Sequence, residues 1–215
     1  MKDFMVCLLE ELSEKRGLFF SEADFQFSLA WFIKEKHEEY EVLLEYPFDI
    51  CEKDKEGNDK ANTIYLDIIL KKEDKFIPIE LKYKTKEFCY ENYNLKNHSA
   101  KNQACYDFLK DIQRIEYFKE KNKDSFESGY AIFLTNDMGF TKEPRNDAGY
   151  KEFSIHNGET KIGELDWSPT ISEGTKKGRK NSINLKNKYE LEWNLYSNFE
   201  EVEKNSEFKY LLVKI

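Results

Sequence analysis

Three charged residues lie inside two segments of this chain that otherwise have the composition of buried β-strands. Asp67 falls within residues 63–70, and Glu80 and Lys82 fall within residues 76–83; both segments are rich in β-branched and apolar side chains. A buried charge without a partner is costly, so such residues usually form ion pairs, bind metal ions or take part in chemistry. The chain is therefore restricted to folds that bring these charges together.

A short charged turn, residues 71–75, joins the two segments and predicts an antiparallel hairpin. Side chains alternate between the two faces of a strand, so Glu80 and Lys82 share one face. Strict alternation also predicts one common face for Ile64, Leu66, Ile68 and Leu70. Asp67 then lies on the other face, where it converges with Glu80 and Lys82. Two carboxylates near one point suit a hard cation such as Mg²⁺, and a lysine beside them can stabilise negative charge on a phosphate or orient a metal-bound water.

The overall composition describes one domain with a substantial core, since the chain has 215 residues and ordinary hydrophobic content. No apolar run is long enough to span a bilayer, and the N-terminal residues predict an amphipathic helix instead of a signal peptide. The four cysteines are widely spaced, which favours free thiols over a disulfide or zinc framework. We therefore expect a cytoplasmic protein with no membrane partner; a homodimer is compatible with the sequence.

Hydrophobic periodicity gives the order of the elements. Helices are predicted over residues 3–15, from 22 toward 38, and over 100–121. Strands are predicted over 41–50, 129–136, 189–196 and 208–215, with a charged loop at 52–60, an irregular segment at 87–99 and short hairpins after 150. This order predicts an α/β sandwich around a mixed sheet.

Basic residues occur in two places, against a net charge of −8 that argues against a nonspecific nucleic-acid coat protein. Lys84 alternates with its neighbours Lys82 and Lys86 along one side of the second motif strand. A second group, in a stretch without acidic residues, comprises Lys176, Lys177, Arg179, Lys180, Lys186 and Lys188. Either group could contact phosphate, and a solvated loop or strand edge is the alternative.

Asp67 followed by Glu80-Leu81-Lys82 resembles the signature of the PD-(D/E)XK nuclease superfamily, with Leu66 in the place of the proline. The resemblance implies a restriction-endonuclease-like α/β sandwich with a central mixed β-sheet flanked by helices. It implies a single domain over residues 1–215, with a core at about 20–136 and a strand-rich extension at 150–215. It further implies that Asp67 and Glu80 bind Mg²⁺ with the Leu81 carbonyl, and that Lys82 serves the attacking water or the transition state.

Further polar residues fit places that the superfamily often uses. Glu22 fits an acidic residue on the helix before the sheet, although the helix dipole alone can explain a carboxylate there. Gln26 lies on the same helix edge as an accessory or exposed residue. Gln103 fits a polar position on the later helix; with Arg114 it can equally belong to a solvated face, where Asp111 and Arg114 form an i,i+3 pair.

These observations predict a Mg²⁺-dependent nuclease, with Mn²⁺ as a substitute and DNA as the expected substrate. The alternative is a catalytically silent module of the same fold that binds nucleic acid or a protein partner. A third hypothesis is a structural or interaction protein without a metal site. For Asp67, Glu80 and Lys82 themselves, the alternative to a metal site is a salt bridge at a solvent-facing strand edge.

Overall fold

The computed structural model of the protein describes residues 2–53, 59–98 and 100–215. Its helices are α1 (Phe4–Lys15), α2 (Glu22–Lys36), α3 (Lys101–Lys121) and the single turn α4 (Glu173–Lys176), with a 3₁₀ turn at Lys151–Phe153. Its strands are β1 (Glu41–Lys53), β2 (Asp59–Lys72), β3 (Lys75–Lys84), β4 (Phe88–Tyr90), β5 (Tyr93–Leu95), β6 (Tyr130–Thr135), β7 (Glu159–Leu165), β8 (Ile183–Leu191), β9 (Trp193–Asn198) and β10 (Glu207–Lys214).

The protein is a mixed α/β structure whose central sheet is flanked by helices. Six strands form this sheet in the order β1-β2-β3-β6-β10-β9. Strands β3 and β6 are parallel, and the other neighbouring strands are antiparallel. Helices α1 and α2 pack on one face, while α3 and the β7–β8 hairpin pack on the other. The last two strands of the chain, β9 and β10, complete the edge of this sheet.

The start of α2 is fixed by a side-chain cap, as the sequence predicts. The hydroxyl of Ser21 accepts a hydrogen bond from the Asp24 amide at 3.1 Å, which satisfies one of the amides left open at a helix N-terminus. Phe25, Leu29 and Ile33 then bury one side of the helix against the sheet. This orientation places Glu22, the first residue of α2, at the end of β3.

The alternation of side chains along β2 reverses near Asp67. Ile68 and Leu70 pack in the cluster that contains α1 and α2, whereas Ile64 and Leu66 pack beside Phe118 of α3 on the opposite face. The prediction that these four residues share one face of the strand is therefore wrong. The reversal lets the part of the long β1–β2 hairpin beyond Asp67, here called its outer arm, bury Ile64 and Leu66 against the C-terminal part of α3.

An irregularity in the ladder accounts for this reversal. Glu45 of β1 has a φ of 50°, in the left-handed region, and the β1–β2 pairing passes over both Glu45 and Asp67, which lie opposite each other. The carbonyl of Asp67 is bonded by a side chain instead, because the amide of Gln26 donates to it at 2.7 Å. The backbone thus opens at the residue that the motif singles out.

Three other predictions of secondary structure need revision. The segment 87–99 is not wholly irregular, since it contains the β4–β5 hairpin. Residues 52, 53, 59 and 60 belong to strands, so the predicted loop is shorter, and its centre at 54–58 lies outside the described residues. The single strand predicted over 189–196 is divided at Glu192, where the chain passes from the β7–β8 sheet to the central sheet.

Two predictions from composition can also be compared with the structure. Cys7, Cys89 and Cys105 are free thiols, as expected. Among the described residues, no helix combines the length and apolarity needed to cross a bilayer.

Candidate active site

The paired strands β2 and β3 separate at the motif. Their ladder ends at Ile68 and Ile79, one step before Asp67 and Glu80 would face each other. Beyond that point β3 continues to pair with β6 but no longer with β2. The predicted hairpin is confirmed, and its open end holds the motif residues.

Carboxylates take the place of the missing β2 backbone along this edge of β3. The Leu81 amide donates to Asp67 Oδ2 at 2.6 Å, and the Tyr83 amide donates to Glu22 Oε2 at 2.8 Å. Both are charge-assisted hydrogen bonds, which are shorter and stronger than neutral ones. They fix two carboxylates from different elements beside the same strand.

Glu80 is the motif residue whose negative charge is least stabilised by its surroundings. It is 1% exposed, and neither of its carboxylate oxygens has a hydrogen bond among the described residues. The nearest cation is Arg114, whose Nη1 lies 3.6 Å from Oε1. Burial, followed by the charges of Asp111 and Asp67, raises the pKa of Glu80 well above its usual value. As an anion this carboxyl is therefore high in free energy, and a proton or an added cation would stabilise it.

The surroundings of Asp67 disfavour its charged form less than those of Glu80 do. Burial raises its pKa, whereas Lys82 and the hydrogen bond from the Leu81 amide act in the opposite direction. The two motif carboxylates thus differ, since Asp67 has a fixed donor and Glu80 has none among the residues that the structure describes. Such a difference between neighbouring carboxyl groups is common where a site carries function, although structural networks also produce it.

Lys82 is bound to an acidic residue that the motif does not include. Its Nζ lies 2.7 Å from Oδ2 of Asp111 on α3, an ion pair whose alignment departs from that of a hydrogen bond. The same Nζ donates to the Leu81 carbonyl at 3.0 Å. Burial opposes the charge on Lys82, but Asp111 and the other surrounding carboxylates outweigh it and raise the pKa of Lys82 above its usual value. Lys82 is therefore a cation at neutral pH.

Asp111 is the site residue that sequence reasoning missed. The predicted i,i+3 pair with Arg114 exists at 3.2 Å, but Asp111 is 2% exposed, so it does not belong to a solvated face. Burial raises its pKa to about 6, against the influence of Lys82 and Arg114. A signal was available, because Asp111 lies three residues after Phe108 and four before Ile115, on the apolar stripe of α3.

The other predicted site residues divide into neighbours of the cluster and residues outside it. Glu22 accepts from Lys84 Nζ at 3.1 Å in addition to the Tyr83 amide. Gln26 donates to Glu45 as well as to the Asp67 carbonyl, so it supports the backbone at the motif. Gln103 donates to the Thr175 carbonyl at 3.2 Å and so joins α3 to α4, outside the cluster.

Most of the predicted phosphate contacts already have ionic partners. Arg179 forms a two-pronged pair with Asp107 of α3, with both distances 2.6 Å. Lys180 lies 2.6 Å from Glu173. Lys186 pairs with Glu120, Lys188 pairs with Glu190, and Lys84 pairs with Glu22. Lys177 is exposed and Lys176 is half-buried.

Within the described residues, a divalent cation would find the two motif carboxylates here and no larger set. Among the described residues, no group of three or more His, Cys, Asp and Glu side chains is arranged to hold a metal ion. The Leu81 carbonyl, which the superfamily resemblance assigns as a further ligand, accepts from Lys82. Any bound cation would therefore depend chiefly on Asp67 and Glu80.

A scan of the chain against protein-family models finds no match, and a search of curated proteins finds no significant relative.

Proposed function

We propose that this protein is a Mg²⁺-dependent nuclease that hydrolyses phosphodiester bonds, with DNA as the expected substrate, on a restriction-endonuclease-like fold. The observation that carries the proposal is the Glu80 carboxyl, which is buried at the open end of the β2–β3 ladder with no hydrogen-bond donor in the described part of the chain. Among the described residues this carboxyl has Arg114, at 3.6 Å, as an ionic partner but no hydrogen bond, and that arrangement stabilises a buried carboxylate poorly. A bound cation would supply the partner that these oxygens lack.

The residues present fit a hard cation. In phosphoryl-transfer sites Mg²⁺ is commonly bound through one or two carboxylates, with substrate phosphate and water as its remaining ligands. Asp67 and Glu80 provide those two carboxylates, and Glu80 has no hydrogen bond with any described residue to give up. When bound, Mg²⁺ would polarise the phosphate and lower the pKa of a coordinated water.

The remaining residues have roles that follow from their contacts. Lys82 stays protonated, so it would offset the negative charge that develops on the phosphate and would not act as a base. Asp111 holds Lys82 in position. The Leu81 amide orients Asp67, and Glu22 adds negative charge on the α2 side.

A second candidate is a catalytically silent module that binds nucleic acid or a protein partner. The observation that favours it is the Lys82–Asp111 ion pair, because a lysine held at 2.7 Å by a buried carboxylate is less available to a substrate phosphate. The two candidates differ in whether bound nucleic acid is cut.

The deciding experiment compares cleavage of plasmid, linear duplex and single-stranded DNA in Mg²⁺, Mn²⁺ and EDTA. We expect metal-dependent cleavage by the wild type and none by Glu80→Gln, which keeps the shape of the side chain and removes its charge. The matched control is Glu41→Gln, a strand carboxylate paired with Lys71 at the surface, which should cut like the wild type.

Calorimetric titration with Mg²⁺ separates the remaining outcomes. Cation binding that is lost in Glu80→Gln, without cleavage of any DNA, would support the silent module. Equal cleavage by wild type and Glu80→Gln, or neither cation binding nor cleavage by the wild type, would refute the nuclease proposal.

A further inference from the structure

A basic cleft lies beside the candidate active site, between α3, the loop after α4 and the outer arm of β2. Its volume is about 560 Å³, which is within the range of ligand pockets. Its charged lining consists of one carboxylate, Asp107, and four cations, Lys110, Arg114, Arg179 and Lys180. On a chain with a net charge of −8, this is a local excess of positive charge.

The cleft connects directly to the candidate site through Arg114. This side chain lines the cleft, and its Nη1 lies 3.2 Å from Asp111 and 3.6 Å from Glu80. An anion bound in the cleft would therefore lie next to the buried carboxyl and to the partner of Lys82. Arg114 is thus the residue that links the cleft lining to the buried carboxyls.

The outer wall of the cleft is held in place by contacts with the body of the protein. Arg179 is fixed by its two-pronged pair with Asp107, and its carbonyl accepts from Trp167 Nε1 at 2.6 Å. The hydroxyl of Tyr106 donates to the Asn181 carbonyl at 2.9 Å. Gly178 has a φ of 76°, so the turn uses a conformation that other residues adopt at a cost. The wall is thus preorganised.

We propose that this cleft binds the sugar–phosphate backbone of a nucleic-acid strand and delivers a phosphodiester to the Glu80 site. The delivery rests on the proposed function, whereas binding does not. Cations on two walls suit a chain of phosphates, and such contacts position the strand without reading its sequence. Lys180 can exchange Glu173 for a phosphate at little cost, because both side chains are more than half exposed.

The test is fluorescence anisotropy with fluorescein-labelled DNA and RNA oligonucleotides, in EDTA so that cleavage plays no part. The variant is Lys110→Gln/Lys180→Gln, which removes one cation from each wall and leaves Arg114 intact. The matched control is Lys36→Gln/Lys71→Gln, which removes two lysines that are paired with carboxylates away from the cleft. Thermal melting of each variant verifies folding, and Lys180→Gln alone serves if the double variant melts early.

Each phosphate contact contributes about 0.9 to the slope of log affinity against log salt, so a fourfold rise in salt costs roughly 3.5-fold in affinity per contact. We expect the slope to fall by about two units in the double variant and by about one unit in the single variant. Over the same fourfold rise in salt, the affinity of the double variant should therefore drop roughly 12-fold less than that of the wild type. The control should keep the wild-type slope. Tighter binding of DNA or of RNA would identify the substrate class.

A cleft variant with the slope and affinity of the control would overturn the proposal, as would a wild type that binds neither oligonucleotide. These results are separable from those of the nuclease test. Binding that maps to the cleft without metal-dependent cleavage would refute only the nuclease, and cleavage that is insensitive to the cleft variant would refute only the cleft.

Discussion

Replacement of Lys82 by methionine should destabilise the protein by an amount set by Asp111. The substitution keeps the aliphatic stem and removes the charge that lies 2.7 Å from this buried carboxylate. Removal of one partner from a buried ion pair typically costs about 3–5 kcal/mol. Arg114 remains 3.2 Å from Asp111, so we expect the free energy of unfolding to fall by up to about 3 kcal/mol, the lower end of that range, at about pH 8, where Asp111 is ionised in the wild type.

The loss should depend on pH in a defined direction. In the wild type, folding raises the pKa of Asp111 from 3.8 to about 6. A carboxyl whose pKa is raised by folding binds its proton more tightly in the folded state, so stability falls as pH rises through this window, by about 3 kcal/mol in total. Without Lys82 the folded pKa lies higher and the window extends above pH 6. The gap between wild type and variant should therefore widen by up to about 1.4 kcal/mol per pH unit above about pH 6.

Urea unfolding at a series of pH values measures this gap, and a second substitution supplies the control. Lys82→Met/Asp111→Asn removes both charges, so it should recover most of the lost stability and the added pH dependence. A constant gap from about pH 6 to about pH 8, or a double variant no more stable than Lys82→Met, would refute the assignment of the loss to an uncompensated Asp111.

Three other substitutions test separate parts of the structure. Lys82→Ala should leave the Mg²⁺ affinity intact or raise it, because a positive charge is removed beside the cation, but it should abolish cleavage. Asp67→Asn should instead weaken both Mg²⁺ binding and cleavage. Calorimetry and cleavage assays measure these effects, and a wild-type cleavage rate for Lys82→Ala would contradict the role of Lys82. Glu116→Gln should loosen the β7–β8 hairpin, because this carboxylate accepts from the amides of Lys186 and Asn187. A loss of about 2 kcal/mol would speed hydrogen exchange of those two amides roughly 30-fold, and unchanged exchange would contradict the role of Glu116.

Local signals predicted the elements that carry the motif. The β-branched run at 76–83 and the apolar run at 129–136 became strands β3 and β6, and Ser21 caps α2. These predictions succeed because strand composition and helix capping act within a few residues. The order of the elements then made a mixed sheet with helices on its faces the expected architecture, and the structure has it.

The features that were missed depend on contacts between distant parts of the chain. Asp111 is buried because α3 lies against β3, and its ion pair with Lys82 spans 29 positions. Arg179 belongs to a basic stretch whose sequence predicts a solvated loop, yet it is paired with Asp107, which lies 72 residues earlier in the chain. The reversal at Asp67 depends on a left-handed Glu45, a conformation that glutamate adopts rarely and that no local pattern indicates. Tertiary packing decides all three.

The open edge of β3 has a consequence for how sequences related to this one would diverge. Asp67 and Glu22 each satisfy a backbone amide of that strand, so a descendant without the proposed activity would still gain stability from keeping them. Glu80 satisfies no backbone amide in the described part of the chain, and its negative charge, with Arg114 at 3.6 Å, is poorly stabilised. Genetic drift in an inactive lineage should therefore replace Glu80 with glutamine or an apolar residue before it touches the other two. In a set of homologues, the identity of the residue at position 80 would distinguish active lineages from silent ones better than the acidic residues around it.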